Sequence, residues 1–102
     1  MNRKEHLLIV LSEECSEVAK EVSKALRFGL DDCNPNVILA EADITNSERI
    51  TKEVADFIGI VEMLYDEGII KRPMLYYIEE KKKKVEKYLK YAETLGTLQH
   101  EP

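Results

Sequence analysis

Residues 45–68, TNSERITKEVADFIGIVEMLYDEG, predict a helix whose beginning and end are both marked. Thr45 and Glu48 have the spacing of a capping box, in which each side chain bonds the backbone amide of the other residue. Apolar residues then recur every three or four positions, which is the period of one buried helix face. They are Ile50, Val54, Phe57, Ile58, Val61, Leu64 and Tyr65. Gly68 is a natural stop, so we expect a helix from about Ser47 to Glu67.

Two further helices are predicted on either side of this one. The first runs from about Asn2 to Phe28 and stops at Gly29. Its apolar stripe is Leu7, Leu11, Cys15, Val18, Val22, Ala25 and Leu26. The third begins near Pro73, a favourable first-turn residue, and continues to about Leu95 before Gly96. Its apolar stripe is Leu75, Ile78, Val85, Leu89 and Ala92.

Three long helices predict an all-α fold, a helical bundle, and 102 residues suit a single domain spanning 1–102. The connection at 30–46 is long for a compact domain, and a short extra helix within it is an open alternative. Residues 97–102 have the composition of a frayed tail.

Composition and charge exclude several classes of protein. The longest apolar run, Leu7 to Leu11, is far shorter than the ~20 residues of a membrane span, so we expect no membrane association. The net charge is −5, with −8 in residues 1–68 and +3 in residues 69–102. Since a nucleic-acid binder would have a dominant basic face, we expect no nucleic-acid partner. Two cysteines outside any metal-binding motif suggest reduced thiols and a cytoplasmic protein.

Acidic residues lie beside the apolar stripes of the first two helices. At 100° per residue, Glu14 falls about 60° from the centre of its stripe and Glu21 about 80°, with Glu17 slightly further round. On the second helix, Glu53 and Asp56 lie among apolar residues in the same way. Each helix therefore presents two acids three positions apart, Glu14 with Glu17 and Glu53 with Asp56, and such residues are neighbours on a helix surface.

Four carboxylates near a core repel one another and lose hydration, which is unfavourable unless something compensates. A divalent cation would do so. Ligands that are oxygen alone suit Mg²⁺, with Mn²⁺ as the alternative, rather than zinc. The competing interpretation is that these acids are solvated groups on the helix rim, paired with Lys20, Lys24 or Lys52.

Basic residues are candidates for phosphate contacts. The apolar stripe of the third helix is interrupted where Lys81 and Lys82 stand. Either their aliphatic stems cover the rim of the core while the ammonium groups stay in water, or they contact a phosphate group. Lys24 and Arg27 on the first helix are further candidates for substrate binding.

These acids resemble the signature of the MazG-like all-α nucleoside triphosphate pyrophosphohydrolases. That signature is E-E-x-x-E, followed on the next helix by E-x-x-D. Here it stands as Glu13-Glu14-Cys15-Ser16-Glu17 and Glu53-Val54-Ala55-Asp56. The surrounding segments LSEECSEVAK, SKALRFGLDD and EVADFIGIVEML are similar to small phage-type members in particular.

The resemblance implies a Mg²⁺-dependent hydrolase that cleaves a nucleoside triphosphate between the α- and β-phosphates and releases a nucleoside monophosphate and pyrophosphate. Its catalytic residues would be Glu13, Glu14, Glu17, Glu53 and Asp56, the last four as metal ligands. Members of the family form dimers or tetramers, so we expect a homodimer or homotetramer that completes the bundle. If a phage encodes the chain, the compartment is the host cytoplasm. The alternative is a non-catalytic helical module for oligomerisation or nucleotide sensing.

Overall fold

The computed structural model describes residues 1–34 and 43–100. These residues form three helices, and no strand occurs among them, so the predicted all-α class is confirmed. The helices are α1 (Arg3–Phe28), α2 (Asn46–Asp66) and α3 (Leu75–Leu95). The chain divides into two compact units, a hairpin unit of residues 1–71 and a C-terminal unit of residues 72–102.

Local signals in the sequence start and stop α1 and α2. The side chain of Asn2 accepts a hydrogen bond from the amide of Glu5 at 2.8 Å and so caps the first turn of α1. Gly29 ends α1 at a φ of 100°, a conformation that strongly favours glycine. Both hydrogen bonds of the predicted capping box between Thr45 and Glu48 are present at the start of α2.

Helices α1 and α2 form an antiparallel hairpin that is held at both ends. At the open end, the guanidinium of Arg3 donates two hydrogen bonds, of 2.9 and 2.8 Å, to the carboxylate of Glu67. At the connected end, the buried side-chain amide of Asn46 donates a hydrogen bond of 2.9 Å to the carbonyl of Gly29. The backbone amide of Asn46 donates to the carbonyl of Asp32. These contacts set the register in which the acids of the two helices face each other.

The core of the hairpin unit is small and lies toward its open end. Leu7 on α1 packs with Ile60 and Leu64 on α2, and Leu64 is completely buried. Half-buried residues surround this cluster, namely Val10, Leu11, Ile69 and Ile70. On α1 this cluster ends at Leu11, about one helical turn before Glu14.

The expectation that the whole stripe of α1 is buried is wrong at Cys15, which is exposed. Cys15 lines an apolar groove with Val18, Val54 and Phe57. The physical reason is geometric, because the apolar stripes of both helices are wider than the strip that two packed helices can cover. Part of each stripe therefore stays exposed, and Leu26 is 83% accessible.

In the C-terminal unit, α3 begins later than predicted. Its N-cap is Met74, so Pro73 precedes the helix instead of occupying the first turn, in keeping with the extended backbone that Met74 adopts. Helix α3 ends before Gly96, as predicted, and Gly96 adopts the left-handed conformation. The first residues of the expected frayed tail are hydrogen-bonded to the end of α3, since the backbone amides of Thr97 and Leu98 donate to the carbonyl of Ala92.

The extra helix considered for residues 30–46 would lie mainly in 35–42, outside the described residues. Among the residues that are described, no helix combines the length and the apolar character needed to cross a bilayer. A single domain over residues 1–102 stays a prediction.

Candidate metal centre

Three of the predicted acids meet between α1 and α2. Carboxylate oxygens of Glu14, Glu53 and Asp56 all lie within 4.8 Å of one another. Glu53 and Asp56 are three residues apart on α2 and so share a face, and the antiparallel register brings that face to Glu14. We refer to these three residues as the acid cluster.

Glu14 is the most constrained member of the acid cluster. It is half-buried, and within the described part of the chain its buried oxygen Oε2 has no hydrogen-bond partner. Loss of hydration raises the pKa of the Glu14 carboxyl, and the charges of Asp56, Glu53 and Glu17 raise it further. The protein thus holds a carboxylate where its negative charge is unfavourable, which is the situation that a bound cation relieves.

One lysine offsets part of this charge. Lys52 donates a hydrogen bond of 3.0 Å to Asp56, and this contact raises the pKa of the Lys52 ammonium. The competing interpretation of lysine-paired acids is therefore realised at Asp56. The lysine side chain is 73% exposed, and an ion pair as open as this contributes little stability. A single ammonium against three carboxylates leaves the acid cluster with an excess of negative charge.

The donor set fits a hard divalent cation. Three carboxylates supply only oxygen, and Mg²⁺ is typically held by one or two carboxylates together with water and substrate phosphates. Since no described residue donates a hydrogen bond to the buried Oε2 of Glu14, this oxygen can act as a ligand without first losing such a bond. The same set suits Mn²⁺.

Two other predicted acids lie outside the acid cluster. Glu17 is exposed, although its charge still acts on the pKa of Glu14. Glu13 is also exposed. Their roles as metal ligand and catalytic group stay predictions.

The predicted phosphate-binding residues have neighbours of their own. Lys24 contacts the carboxylate of Glu21 at 3.4 Å, and the guanidinium of Arg27 lies 4.8 Å from the ring centre of Phe28. In the C-terminal unit, Lys82 contacts Glu79 at 3.2 Å and Lys81 is exposed. Substrate binding by these four residues stays a prediction.

Glu21 is a candidate for the functional site that the sequence pattern alone does not mark. The apolar pattern of α1 puts Glu21 at the edge of its stripe without marking it as a ligand, whereas in the structure it is only 8% exposed. The signal that pointed to it was its position two helical turns after Glu14, on nearly the same face of α1.

No protein-family model, curated protein or solved structure matches this chain at a significant level. The similarity to MazG-like enzymes therefore stays a prediction, and the geometry of the acid cluster is the main support for a function.

The raised pKa of Glu14 predicts how metal-free stability depends on pH. Because the folded-state pKa lies above the unfolded value, the folded protein binds more protons between the two, and the free energy of unfolding falls as pH rises. This fall begins near the ordinary glutamate pKa of about 4.3. We expect the fall in the free energy of unfolding to be smaller in Glu14→Gln than in the wild type. We also expect this variant to be at least as stable as the wild type at neutral pH.

Urea unfolding of both proteins in EDTA, from about pH 4 to pH 7, measures this difference. The lowered pKa of Glu67, caused by its hydrogen bonds with Arg3, has the opposite effect and removes stability as pH falls. That contribution is common to both proteins and cancels in the comparison. Equal pH slopes in the two proteins would contradict the environment assigned to Glu14.

Proposed function

We propose that the protein is a Mg²⁺-dependent nucleotide pyrophosphohydrolase that cleaves a nucleoside triphosphate between its α- and β-phosphates. The observation that supports this most directly is the approach of three carboxylates within 4.8 Å, one of them with a buried oxygen that no described residue hydrogen-bonds. A helix pair with a purely structural role has no need of this arrangement, because repulsion between the carboxylates and the loss of their hydration lower stability.

Each residue of the acid cluster has a role in this proposal. Glu14, Glu53 and Asp56 hold the cation, and Glu17 completes the set from the next turn of α1. When bound, Mg²⁺ neutralises phosphate charge and orients a water for attack on phosphorus. Glu13 accepts the proton of that water or supports a ligand.

Lys52 has a role at the phosphates. Its ammonium lies at the edge of the acid cluster, on a flexible and exposed side chain. With Asp56 among the residues that would hold the cation, Lys52 would be available to contact a phosphate oxygen, as a mobile point charge can.

The order of the acids along the chain supports the same reaction. E-E-x-x-E on α1 and E-x-x-D on α2 resemble the MazG-like signature, and the two halves lie on facing helices here. Reactions of this family require no covalent nucleophile, and none of the acid-cluster residues is a serine, cysteine or histidine.

A homodimer or homotetramer is part of the proposal. The groove lined by Cys15, Val18, Val54 and Phe57 is apolar and exposed in the hairpin unit. A second copy that covers it would bury the part of the two stripes that the α1–α2 contact leaves open. Substrate choice and the roles of Lys24, Arg27, Lys81 and Lys82 belong to the same proposal.

A non-catalytic helical module, for oligomerisation or nucleotide sensing, is the second candidate. The ion pair between Lys52 and Asp56 favours it, because a lysine partly replaces the charge of a cation. The two candidates differ in turnover but not in fold.

Pyrophosphate release from a panel of ribo- and deoxyribonucleoside triphosphates tests the proposal. We expect release from at least one of them with millimolar Mg²⁺, and no release with EDTA. Absence of release from every substrate at high enzyme concentration would favour the non-catalytic module.

A further inference from the structure

A pocket adjoins the acid cluster on the side of the connection between α1 and α2. Its volume is about 390 Å³, and its walls are Glu21, Ile44, Glu48, Arg49, Lys52 and Glu53. Glu53 also belongs to the acid cluster, so the pocket and the cluster share one residue. We refer to it as the Glu21 pocket.

Glu21 carries a carboxylate oxygen that has no partner among the residues that the structure describes. Glu21 is 8% exposed, and its oxygen Oε1 accepts a long hydrogen bond of 3.4 Å from the ammonium of Lys24. The other oxygen, Oε2, is buried and accepts no hydrogen bond from residues 1–34 or 43–100. Leaving a carboxylate oxygen buried and unpaired is costly, and native structures rarely do so without a functional reason.

The charges around the pocket define the ligand it suits. Arg49 and Lys52 oppose a second metal ion beside Glu21, while three carboxylates oppose a simple anion. A neutral group with N–H or O–H donors fits both constraints. Ile44 offers an apolar wall, and a guanidinium such as that of Arg49 can stack on a planar ring.

The spacing of the two sites matches one extended ligand. Glu14 and Glu21 are seven residues apart on α1, which is about 10 Å along the helix axis. A nucleoside triphosphate whose phosphates lie at Glu14 extends over such a distance. Its nucleoside then lies at the Glu21 pocket.

We propose that the Glu21 pocket holds the nucleoside of the substrate and that Glu21 accepts a hydrogen bond from an N–H or O–H group of the base or sugar. Glu21 is then a specificity-determining residue, separate from the residues that hold the metal. This inference rests on the proposed function, because it takes a nucleotide as the ligand of the acid cluster.

Equilibrium binding tests this inference without relying on turnover. The probes are α,β-imido analogues of the ribo- and deoxyribonucleoside triphosphates, and inorganic tripolyphosphate, each titrated calorimetrically with Mg²⁺ present. Glu21→Met removes the acceptor while keeping an unbranched side chain of similar length. We expect it to weaken binding of the preferred nucleotide by about 10- to 100-fold, the effect of losing a hydrogen bond to a charged group.

Tripolyphosphate distinguishes contact with the nucleoside from a general effect. We expect Glu21→Met to change its affinity by less than about twofold, since it lacks the group that Glu21 contacts. Glu21→Gln keeps a neutral acceptor and should weaken nucleotide binding less than Glu21→Met does. Glu62→Gln, which removes an exposed charge on α2 outside both sites, is the matched control and should leave all affinities unchanged.

Two comparisons identify the donor on the nucleoside. If it is a sugar hydroxyl, the loss in Glu21→Met is the same for all bases. If it is a base N–H, the loss differs from one base to another, because the N–H donors stand at different ring positions in different bases. Ile44→Trp places a larger side chain at another residue of the pocket wall and keeps the test valid if Glu21→Met does not fold. It should weaken nucleotide binding and spare tripolyphosphate.

Three results would overturn the inference. They are unchanged nucleotide affinity in Glu21→Met, an equal loss for nucleotide and tripolyphosphate, and absence of nucleotide binding by the wild type. Failure of the proposed function alone has a different signature. In that case the wild type binds the analogues with the predicted dependence on Glu21 but releases no pyrophosphate from the corresponding triphosphates.

Discussion

Glu53→Gln and Asp56→Asn should each lower kcat/KM for pyrophosphate release by at least about a thousandfold. Both substitutions remove a charged ligand of the acid cluster while keeping the shape of the side chain. A metal ion supplies several kcal/mol of charge stabilisation in the transition state, and its loss or displacement removes most of that amount. Initial rates under saturating Mg²⁺, with the best triphosphate of the panel, provide the measurement.

Controls separate loss of the site from loss of the fold. Far-UV circular dichroism of both variants should match the wild type, because neutralising one of several repelling acids relieves an unfavourable interaction. Glu62→Gln removes one exposed charge from the same helix and should retain normal kcat/KM. Near-normal turnover in Glu53→Gln or Asp56→Asn would mean that the acid cluster is not the metal site.

Saturating Mg²⁺ should raise the melting temperature of the wild type on the order of ten degrees. A ligand that binds only the folded protein stabilises it by RT ln(1 + [L]/Kd), which is about 2.7 kcal/mol at a hundredfold excess over Kd. In a domain near 100 residues, 1 kcal/mol corresponds to about 4–8 °C. Adding a non-hydrolysable nucleotide should increase the shift, since its phosphates complete the coordination of the ion.

Glu14→Gln and Asp56→Asn should lose most of this response. Without metal, neither should melt appreciably below the wild type. The substitution at Glu14 removes a carboxyl whose pKa is raised by desolvation and by neighbouring acids. The substitution at Asp56 removes an ion pair with Lys52, which contributes little stability because it is exposed. An equal metal response in all three proteins would place the cation elsewhere.

Helix type and helix ends could be predicted here because their causes are local. The capping box of Thr45 and Glu48 and the stop at Gly96 each involve residues within a few positions of one another. The prediction was less accurate at Pro73, because the start of α3 depends on the backbone of Met74 and not on proline preference alone.

The acid cluster could be predicted in part. Periodicity placed Glu14 on α1 and Glu53 and Asp56 on α2 at the edges of apolar stripes. Periodicity within one segment does not give the relative register of the two helices. The contacts of Arg3 with Glu67 and of Asn46 with Gly29 set that register. Those contacts join residues far apart in the chain, so a helical wheel of either segment alone cannot show which acids meet.

Amphipathic periodicity determines which residues of a helix share a face, whereas burial depends on how much of that face a neighbour covers. For this reason Leu7 and Leu64 are buried while Cys15, on the same kind of stripe, is exposed. Glu21 shows the converse, a charged residue at the stripe's edge that packing places nine-tenths out of solvent. The sequence supplies the faces and the helix ends. Contact between α1 and α2 selects the buried residues, and it buries one carboxylate oxygen of Glu21 where no described residue hydrogen-bonds to it. Burial results from the approach of two surfaces and is not a property of either segment alone.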